Sequence, residues 1–297
     1  MRAAIAATVA IGMIGACAAP ATHAESLRYC DTPPVLDAGA QSRLLSLAAL
    51  VRGVLAEAGD GAAIVSRSGL ALERLGQRYS HAGVALPGGG GAWTVRQLYY
   101  ACDERVPRLY DQGLAGFVTG LADPARGRVS VLLLPEAAAR PLAEAARDAR
   151  GALRLLGARY SANAYPYATR YQNCNQWVAE LLAAAWGDMP PEGRTDAQRW
   201  LARQGFEGTV FEVGALMALT PFVPWVQRDD HPEDDLAAAR FRVAMPASIE
   251  AFVQRLWPQA LRVEVCLDGA RAVVRRGRDP LDGECRPGPQ DEVHAVP

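Results

Sequence analysis

One stretch decides the fold of this chain: Asn173-Cys174-Asn175-Gln176-Trp177-Val178-Ala179-Glu180-Leu181-Leu182. Its apolar residues recur at helical spacing, and Asn173 is a good N-cap for the predicted helix. Cys174 would lie at the first turn, against unpaired backbone N–H groups and the positive end of the helix dipole. That setting predicts a lowered thiol pKa and a nucleophilic cysteine. The simpler interpretation is a buried structural thiol.

Composition limits the classes of function. The chain has 297 residues, half of them hydrophobic (50%), which is enough for one large domain or one domain with an appendage. The net charge of -1 predicts neither nucleic-acid binding nor attraction to an anionic membrane. All 31 basic residues are arginines, which excludes Schiff-base and lysine general-base chemistry.

The N-terminus has the pattern of an export signal, a short charged start followed by an apolar run. Thr22-His23-Ala24 resembles a signal-peptidase site, so we favour residues 1–24 as a signal peptide. Ile14-Gly15-Ala16-Cys17 resembles a lipobox, and processing there would instead leave a lipid anchor on Cys17. We expect no membrane span in the mature chain. The protein is therefore expected to be periplasmic or secreted, or else a lipoprotein.

Five cysteines remain after residue 24, and an oxidising compartment favours their pairing. Cys266 with Cys285 and Cys30 with Cys102 are the natural pairs, which leaves Cys174 over. An alternative pairs Cys174 with Cys102.

A cysteine nucleophile needs a base, and the chain has only four histidines. His23 leaves with the signal peptide, His294 lies in the tail, and His231 lies in an acidic run predicted to be a solvated loop. Only His81 falls within a predicted strand, so it is the candidate partner of Cys174. The alternative is an inert strand histidine bonded to the backbone.

The order of these elements carries a resemblance. The chain places a strand histidine in Ser80-His81-Ala82-Gly83-Val84, then further strands, a long helix, an aromatic loop and residues 171–178. This order resembles that of the circularly permuted NlpC-like papain-fold hydrolases. These include the relatives of lecithin retinol acyltransferase. The resemblance implies an α+β fold for residues 25–187, with an antiparallel sheet packed against helices. Three further stretches, at residues 79–84, 96–103 and 160–180, carry a closer resemblance. Through them the chain from Tyr29 resembles the bacterial domain-of-unknown-function family 2145, which supplies no known activity.

Residues 188–297 are predicted to form a C-terminal extension with a helix and a hairpin. The helix is expected at 248–257. Asp268-Gly269 is a strong signal for a two-residue turn between strands at 261–266 and 270–275. A Cys266–Cys285 bridge would hold the polar tail to this hairpin.

The resembled hydrolases orient their histidine with a third polar group on the next strand. The predicted strand at 93–101 has no His, Asp or Glu, so Gln97 is the candidate, although a plain strand amide is the simpler interpretation. The Cys174 backbone N–H, helped by Gln172, would form an oxyanion hole. Asn173 and Tyr160 are further candidates near the substrate, with capping and loop packing as the simpler roles.

No cofactor or metal is expected. The chain has no phosphate-binding loop, dinucleotide fingerprint or paired zinc ligands, and the acidic run around His231 lacks the spacing of a calcium loop. The first hypothesis is an exported cysteine hydrolase or acyltransferase that acts on an amide or ester, in cell-wall peptide or in lipid. The second is a non-catalytic envelope protein, with a binding or structural role, on the same scaffold.

Overall fold

The computed structural model describes residues 35–70, 72–121 and 123–297. The predicted signal peptide, the candidate anchor Cys17 and the predicted disulfide partner Cys30 lie outside these ranges. Within them, every helix is too short or too polar to cross a lipid bilayer.

The described residues form ten strands and eight α-helices. The strands are β1 Ala63–Arg67, β2 His81–Pro87, β3 Trp93–Ala101, β4 Val106–Gly113, β5 Arg126–Leu133, β6 Thr209–Glu212, β7 Arg240–Val243, β8 Leu261–Asp268, β9 Arg271–Arg276 and β10 Glu292–Ala295. The helices are α1 Ala38–Leu55, α2 Leu114–Val118, α3 Glu136–Arg147, α4 Ala149–Arg154, α5 Cys174–Trp186, α6 Arg194–Arg203, α7 Glu233–Ala237 and α8 Pro246–Leu256.

Eight strands form one antiparallel sheet in the order β10-β9-β8-β5-β1-β2-β3-β4, and β6 pairs separately with β7. The prediction of an α+β protein with an antiparallel sheet and packed helices is confirmed at that level.

Side chains alternate across the sheet and build a core on each face. On β1, Ala63 and Val65 face α1 and α2, whereas Ile64 faces the other core. That second core is built by α3, α5 and α8, and its largest fully buried side chain is Trp177 of α5. The sheet therefore lies between two helical layers, with α5 on one face.

Two predicted elements form with shifted bounds. The predicted C-terminal hairpin turns at Gly269-Ala270 rather than Asp268-Gly269, with Gly269 at φ 61. The long helix that precedes the aromatic loop is predicted at residues 136–156, and it is interrupted because Asp148 adopts an extended conformation and its side chain caps α4.

The C-terminal segment is part of the central sheet. β8 pairs with β5 along its whole length, so the predicted hairpin extends the sheet begun by residues 63–133. The predicted Cys266–Cys285 disulfide is present and ties the tail to β8. Sheet β6–β7 lies beside the start of α5, where Phe241 of β7 lines the cavity described below.

Candidate active site

Helix α5 begins as predicted. The side-chain oxygen of Asn173 accepts a hydrogen bond from the backbone N–H of Gln176 at 2.7 Å, which is N-cap geometry. Cys174 follows as the first helical residue and is 8% exposed. It is the free cysteine of the described residues, whereas Cys102 is in a disulfide. The alternative pairing of Cys174 with Cys102 is therefore wrong.

The environment of the Cys174 sulfur has opposing effects on the thiol pKa. Burial raises the pKa to about 11, whereas the positive charge of Arg67 and the backbone N–H groups of Asn175, Cys174 and Ala82 lower it. The predicted lowering by the helix start is present but is the smaller effect, so the prediction of a depressed pKa is wrong. Removing the thiolate from water outweighs the amides that face it. The resting sulfur is a thiol at neutral pH.

Gln97 contacts His81, as the sequence suggested. The His81 Nε2 atom lies 2.7 Å from Gln97 Oε1, and Gln97 is fully buried. The Gln97 amide nitrogen donates to Gln112 Oε1 at 2.8 Å. This second bond fixes the amide so that its oxygen faces the ring, and Nε2 must then carry the proton. Nδ1 is left as the acceptor nitrogen of His81.

His81 is also uncharged in the resting site. Burial and the nearby Arg67 charge lower its pKa to about 3, against the opposing effect of the Gln97 hydrogen bond. Its ring stacks on Tyr99 at a centroid distance of 4.7 Å and lies 6.3 Å from the ring of Phe117. The site therefore holds a neutral imidazole and a neutral thiol at neutral pH.

Cys174 and His81 line the same cavity of about 260 Å³, at the end of the sheet where β1 ends and β2 begins. In the described part of the chain, no hydrogen bond joins the Cys174 sulfur to the His81 ring. The sulfur instead faces the backbone N–H of Ala82, the residue after His81. The two side chains are therefore neighbours across a cavity rather than a preformed ion pair.

The rest of the cavity wall is largely apolar. β6, β7 and the segments on either side of them supply much of it, and a second group comes from the loop after β1. Representative lining residues are Leu70, Leu72, Leu75, Phe211, Phe241 and Met245. The exposed fractions of Leu75 and Leu216, another lining residue, are 45% and 60%, so the apolar lining reaches the surface.

The three residues predicted to contact the substrate or an oxyanion do not all lie at the cavity. Tyr160 lines the cavity and stacks on Tyr100 at 5.0 Å. Asn173 also lines it, but its amide nitrogen donates to carbonyl groups in two loops, and its oxygen caps α5.

Gln172 lies elsewhere, fully buried in a structural network. Its amide nitrogen donates to Leu155 O at 2.8 Å and to Glu180 Oε2 at 2.7 Å, and its oxygen accepts from the Gly157 N–H. Both amide protons are therefore used, and none remains for an oxyanion.

The sequence reasoning missed two residues that line the cavity, Asn175 and Arg67. The Asn175 amide nitrogen donates to Ser80 O at 3.1 Å, which orients its oxygen as a buried acceptor with no partner. Arg67 is 2% exposed at the end of β1, directly opposite His81 in the strand register. Its closeness to His81 follows from strand pairing, which sequence periodicity does not give.

His231 is not in a solvated loop. It is 8% exposed, and its Nε2 lies 2.8 Å from the carbonyl oxygen of Asn163, so the acidic segment packs against the aromatic loop. Among residues 35–70, 72–121 and 123–297, no group of three His, Cys, Asp or Glu side chains is arranged to hold a metal ion.

A family of bacterial proteins resembles most of the chain. A family model described as "Uncharacterized protein conserved in bacteria (DUF2145)" matches residues 54–253, about two thirds of the chain. This range includes Arg67, His81, Gln97 and Cys174, and it crosses the predicted boundary at residue 187. No curated protein and no solved structure matches the chain.

Proposed function

The chain belongs to the DUF2145 family, and we propose that it is an exported cysteine-dependent hydrolase or acyltransferase that cleaves an acyl ester or amide. One observation carries the proposal. A free cysteine at the start of α5 shares a cavity with a histidine whose Nε2 atom is held by Gln97. We further propose a permuted papain-like scaffold, because the strand histidine precedes the helix-start cysteine and an antiparallel sheet packs on that helix.

In the proposed reaction, Cys174 attacks the carbonyl carbon of the substrate. The thiol proton passes to His81 Nδ1, directly or through one water, as the S–C bond forms. The tetrahedral intermediate collapses by breaking the C–O or C–N bond, and the leaving group takes the proton from His81. Water or an alcohol then attacks the thioester, His81 accepts its proton, and the S–C bond breaks. The sulfur recovers that proton, and an acid or a new ester is released.

The resting protonation states shape this mechanism. With a thiol pKa of about 11 and an imidazole pKa of about 3, a stable thiolate–imidazolium pair does not form beforehand. Proton transfer is therefore concerted with attack on the carbonyl. The backbone N–H groups of Cys174 and Asn175 lie at the start of α5, where they would stabilise the oxyanion.

The cavity wall favours an acyl chain over a cell-wall peptide. A bound peptide needs hydrogen-bonding partners along its length, because burying unpaired polar groups is costly. The apolar side chains of Leu70, Leu72, Phe211 and Phe241 instead suit a hydrocarbon group. The volume of about 260 Å³ lies just below the usual range of about 300–1,000 Å³ for ligand pockets, which suits a short or medium-length chain.

Hydrolysis of p-nitrophenyl butyrate, p-nitrophenyl octanoate and octanoyl p-nitroanilide tests the proposal. We expect octanoate ester turnover by the wild-type protein, loss in Cys174→Ala, and a drop of about 100-fold or more in His81→Gln. His294→Gln is the matched control, because His294 lies in β10 and contacts Glu292 rather than the cavity. Turnover that survives in both Cys174→Ala and His81→Gln would refute the assignment.

A second candidate is a non-catalytic binding protein for an apolar ligand. The observations that favour it are the neutral side chains of Cys174 and His81 and the stacking of the His81 ring on Tyr99, with Phe117 nearby. This candidate predicts ligand binding without turnover, and a Cys174→Ala variant that rescues the phenotype of a gene deletion. Failure of that variant to rescue, with normal folding and ligand binding, would exclude it.

A further inference from the structure

The guanidinium of Arg67 is a buried cation without a carboxylate partner in the described residues. It lines the cavity and is 2% exposed. Nη1 donates to the carbonyl oxygens of Gly120 and Ser68, and Nη2 donates to the Tyr99 hydroxyl at 2.7 Å. The Nε–H is buried without a partner. All of these acceptors are neutral, so the positive charge is solvated but not compensated.

The backbone around Arg67 is shaped to hold the guanidinium in place. A Cβ atom on Gly69 would lie 2.5 Å from Nη1, and one on Gly120 would overlap the guanidinium. The ring of Phe117 lies 5.6 Å from the guanidinium carbon. Two glycines, an aromatic face and three oxygen acceptors therefore fix one position for this side chain, so the charge belongs to a built site.

A buried, uncompensated charge is costly, and an anion that enters the cavity relieves that cost. Among the described residues, no carboxylate lines the cavity, and the Cys174 sulfur is a neutral thiol at rest. Cys174 and Asn175 also line the cavity, and their backbone N–H groups at the start of α5 point at the Cys174 sulfur, where they favour a negative group. Beyond this end, the wall is largely apolar, and it includes the exposed side chains of Leu75 and Leu216.

We propose that the cavity binds a medium-chain monocarboxylate, with the carboxylate paired to Arg67 and the hydrocarbon chain along the apolar wall. The inference deepens the proposed function, because such a carboxylate is the product released when an acyl ester is hydrolysed. It names a binding partner for Arg67 and a ligand class for the site. It also stands without catalysis, because it needs no reaction at Cys174.

Calorimetric titration with octanoate and with octanol tests the proposal on the full-length protein and on Cys174→Ala, which removes turnover. Octanol matches the chain and lacks the charge. We expect octanoate to bind Cys174→Ala and wild type at least about thirtyfold more tightly than octanol, because the charged head is paired in a buried site. Equal binding of the two ligands, or no binding of octanoate, would overturn the proposal.

The variant Arg67→Gln locates the carboxylate. We expect octanoate binding to weaken about thirtyfold or more and octanol binding to stay unchanged. The matched control is Arg126→Gln, because the Arg126 side chain is 77% exposed and pairs with Asp268. Unchanged octanoate binding in a folded Arg67→Gln protein would refute the pairing. If Arg67→Gln does not fold, the comparison of octanoate with octanol on Cys174→Ala still decides.

The two proposals fail separately. Octanoate binding to Cys174→Ala together with no ester turnover by the wild type would uphold the carboxylate site and refute the enzyme. Turnover that depends on Cys174 without octanoate binding would uphold the enzyme and refute the carboxylate site. If both hold, octanoate inhibits ester hydrolysis competitively, and the inhibition is lost in Arg67→Gln.

Discussion

Alkylation of the native protein measures the protonation state of Cys174. A thiol pKa of about 11 leaves about 300-fold less thiolate at pH 7.5 than the ordinary value of about 8.5 gives. A more basic thiolate is more nucleophilic, with a Brønsted coefficient of about 0.4–0.5, which recovers roughly tenfold to twentyfold. Iodoacetamide should therefore label Cys174 about twentyfold more slowly than a model thiol, before the further slowing that burial imposes.

The pH profile separates the two causes of slow labelling. We expect the rate of Cys174 labelling to keep rising tenfold per pH unit past pH 9, where a model thiol levels off. Protein unfolded in denaturant with its disulfides intact is the control, and its Cys174 should label as a model thiol. Labelling of native Cys174 as fast as a model thiol, with an inflection below pH 8.5, would refute the argument that burial outweighs the helix-start amides.

Three further predictions concern stability. The pKa of His81 is lowered to about 3 in the folded protein from an ordinary 6.5, so its contribution to stability is complete above pH 6.5, and up to about 5 kcal/mol of the free energy of unfolding is lost as pH falls toward 3. Urea unfolding of the wild type should show this pH dependence, and His81→Gln should lack it. Equal pH dependence in the two proteins would contradict the shift. In Gly83→Ala, the new Cβ would lie 2.6 Å from Val95 Cγ1, so we expect a loss of about 1–3 kcal/mol in the free energy of unfolding. An unchanged denaturation midpoint would show that the strands adjust freely. Cys266 and Cys285 are 19 residues apart, and replacing both by serine should lower the free energy of unfolding by about 3 kcal/mol in the same assay. A change near zero would show that the tail is held without the bridge.

The sequence was most informative where local patterns suffice. Strand β3 forms at its predicted bounds, and the helix that starts at Cys174 has the predicted Asn173 cap. The prediction that Cys174 is free came from pairing the other four cysteines after residue 24. Strand β4 was missed, because its residues 106–113 alternate little and lie mostly at the surface at the sheet edge. The helix break at Asp148 was missed, because a capping side chain was taken for a helical residue.

Local sequence patterns did not predict the electrostatics of the site. A helix start lowers a thiol pKa, but whether it prevails depends on burial, and burial depends on residues far away in sequence. The position of Arg67 opposite His81 is a matter of strand register. The orientation of Gln97 depends on Gln112 from a strand that periodicity did not reveal. Residues 209–245 complete the cavity from a segment that was expected to be an extension.

Trapping the acyl-enzyme tests the central claim most directly. The protein is mixed with p-nitrophenyl octanoate, quenched in acid within seconds, and analysed by intact mass spectrometry and peptide mapping. The account predicts one octanoyl group per chain, on Cys174, in the wild type and in the His294→Gln control, and none in His81→Gln at the same time point. An unmodified Cys174 in protein that turns over the ester, or equal acylation of wild type and His81→Gln, would contradict it.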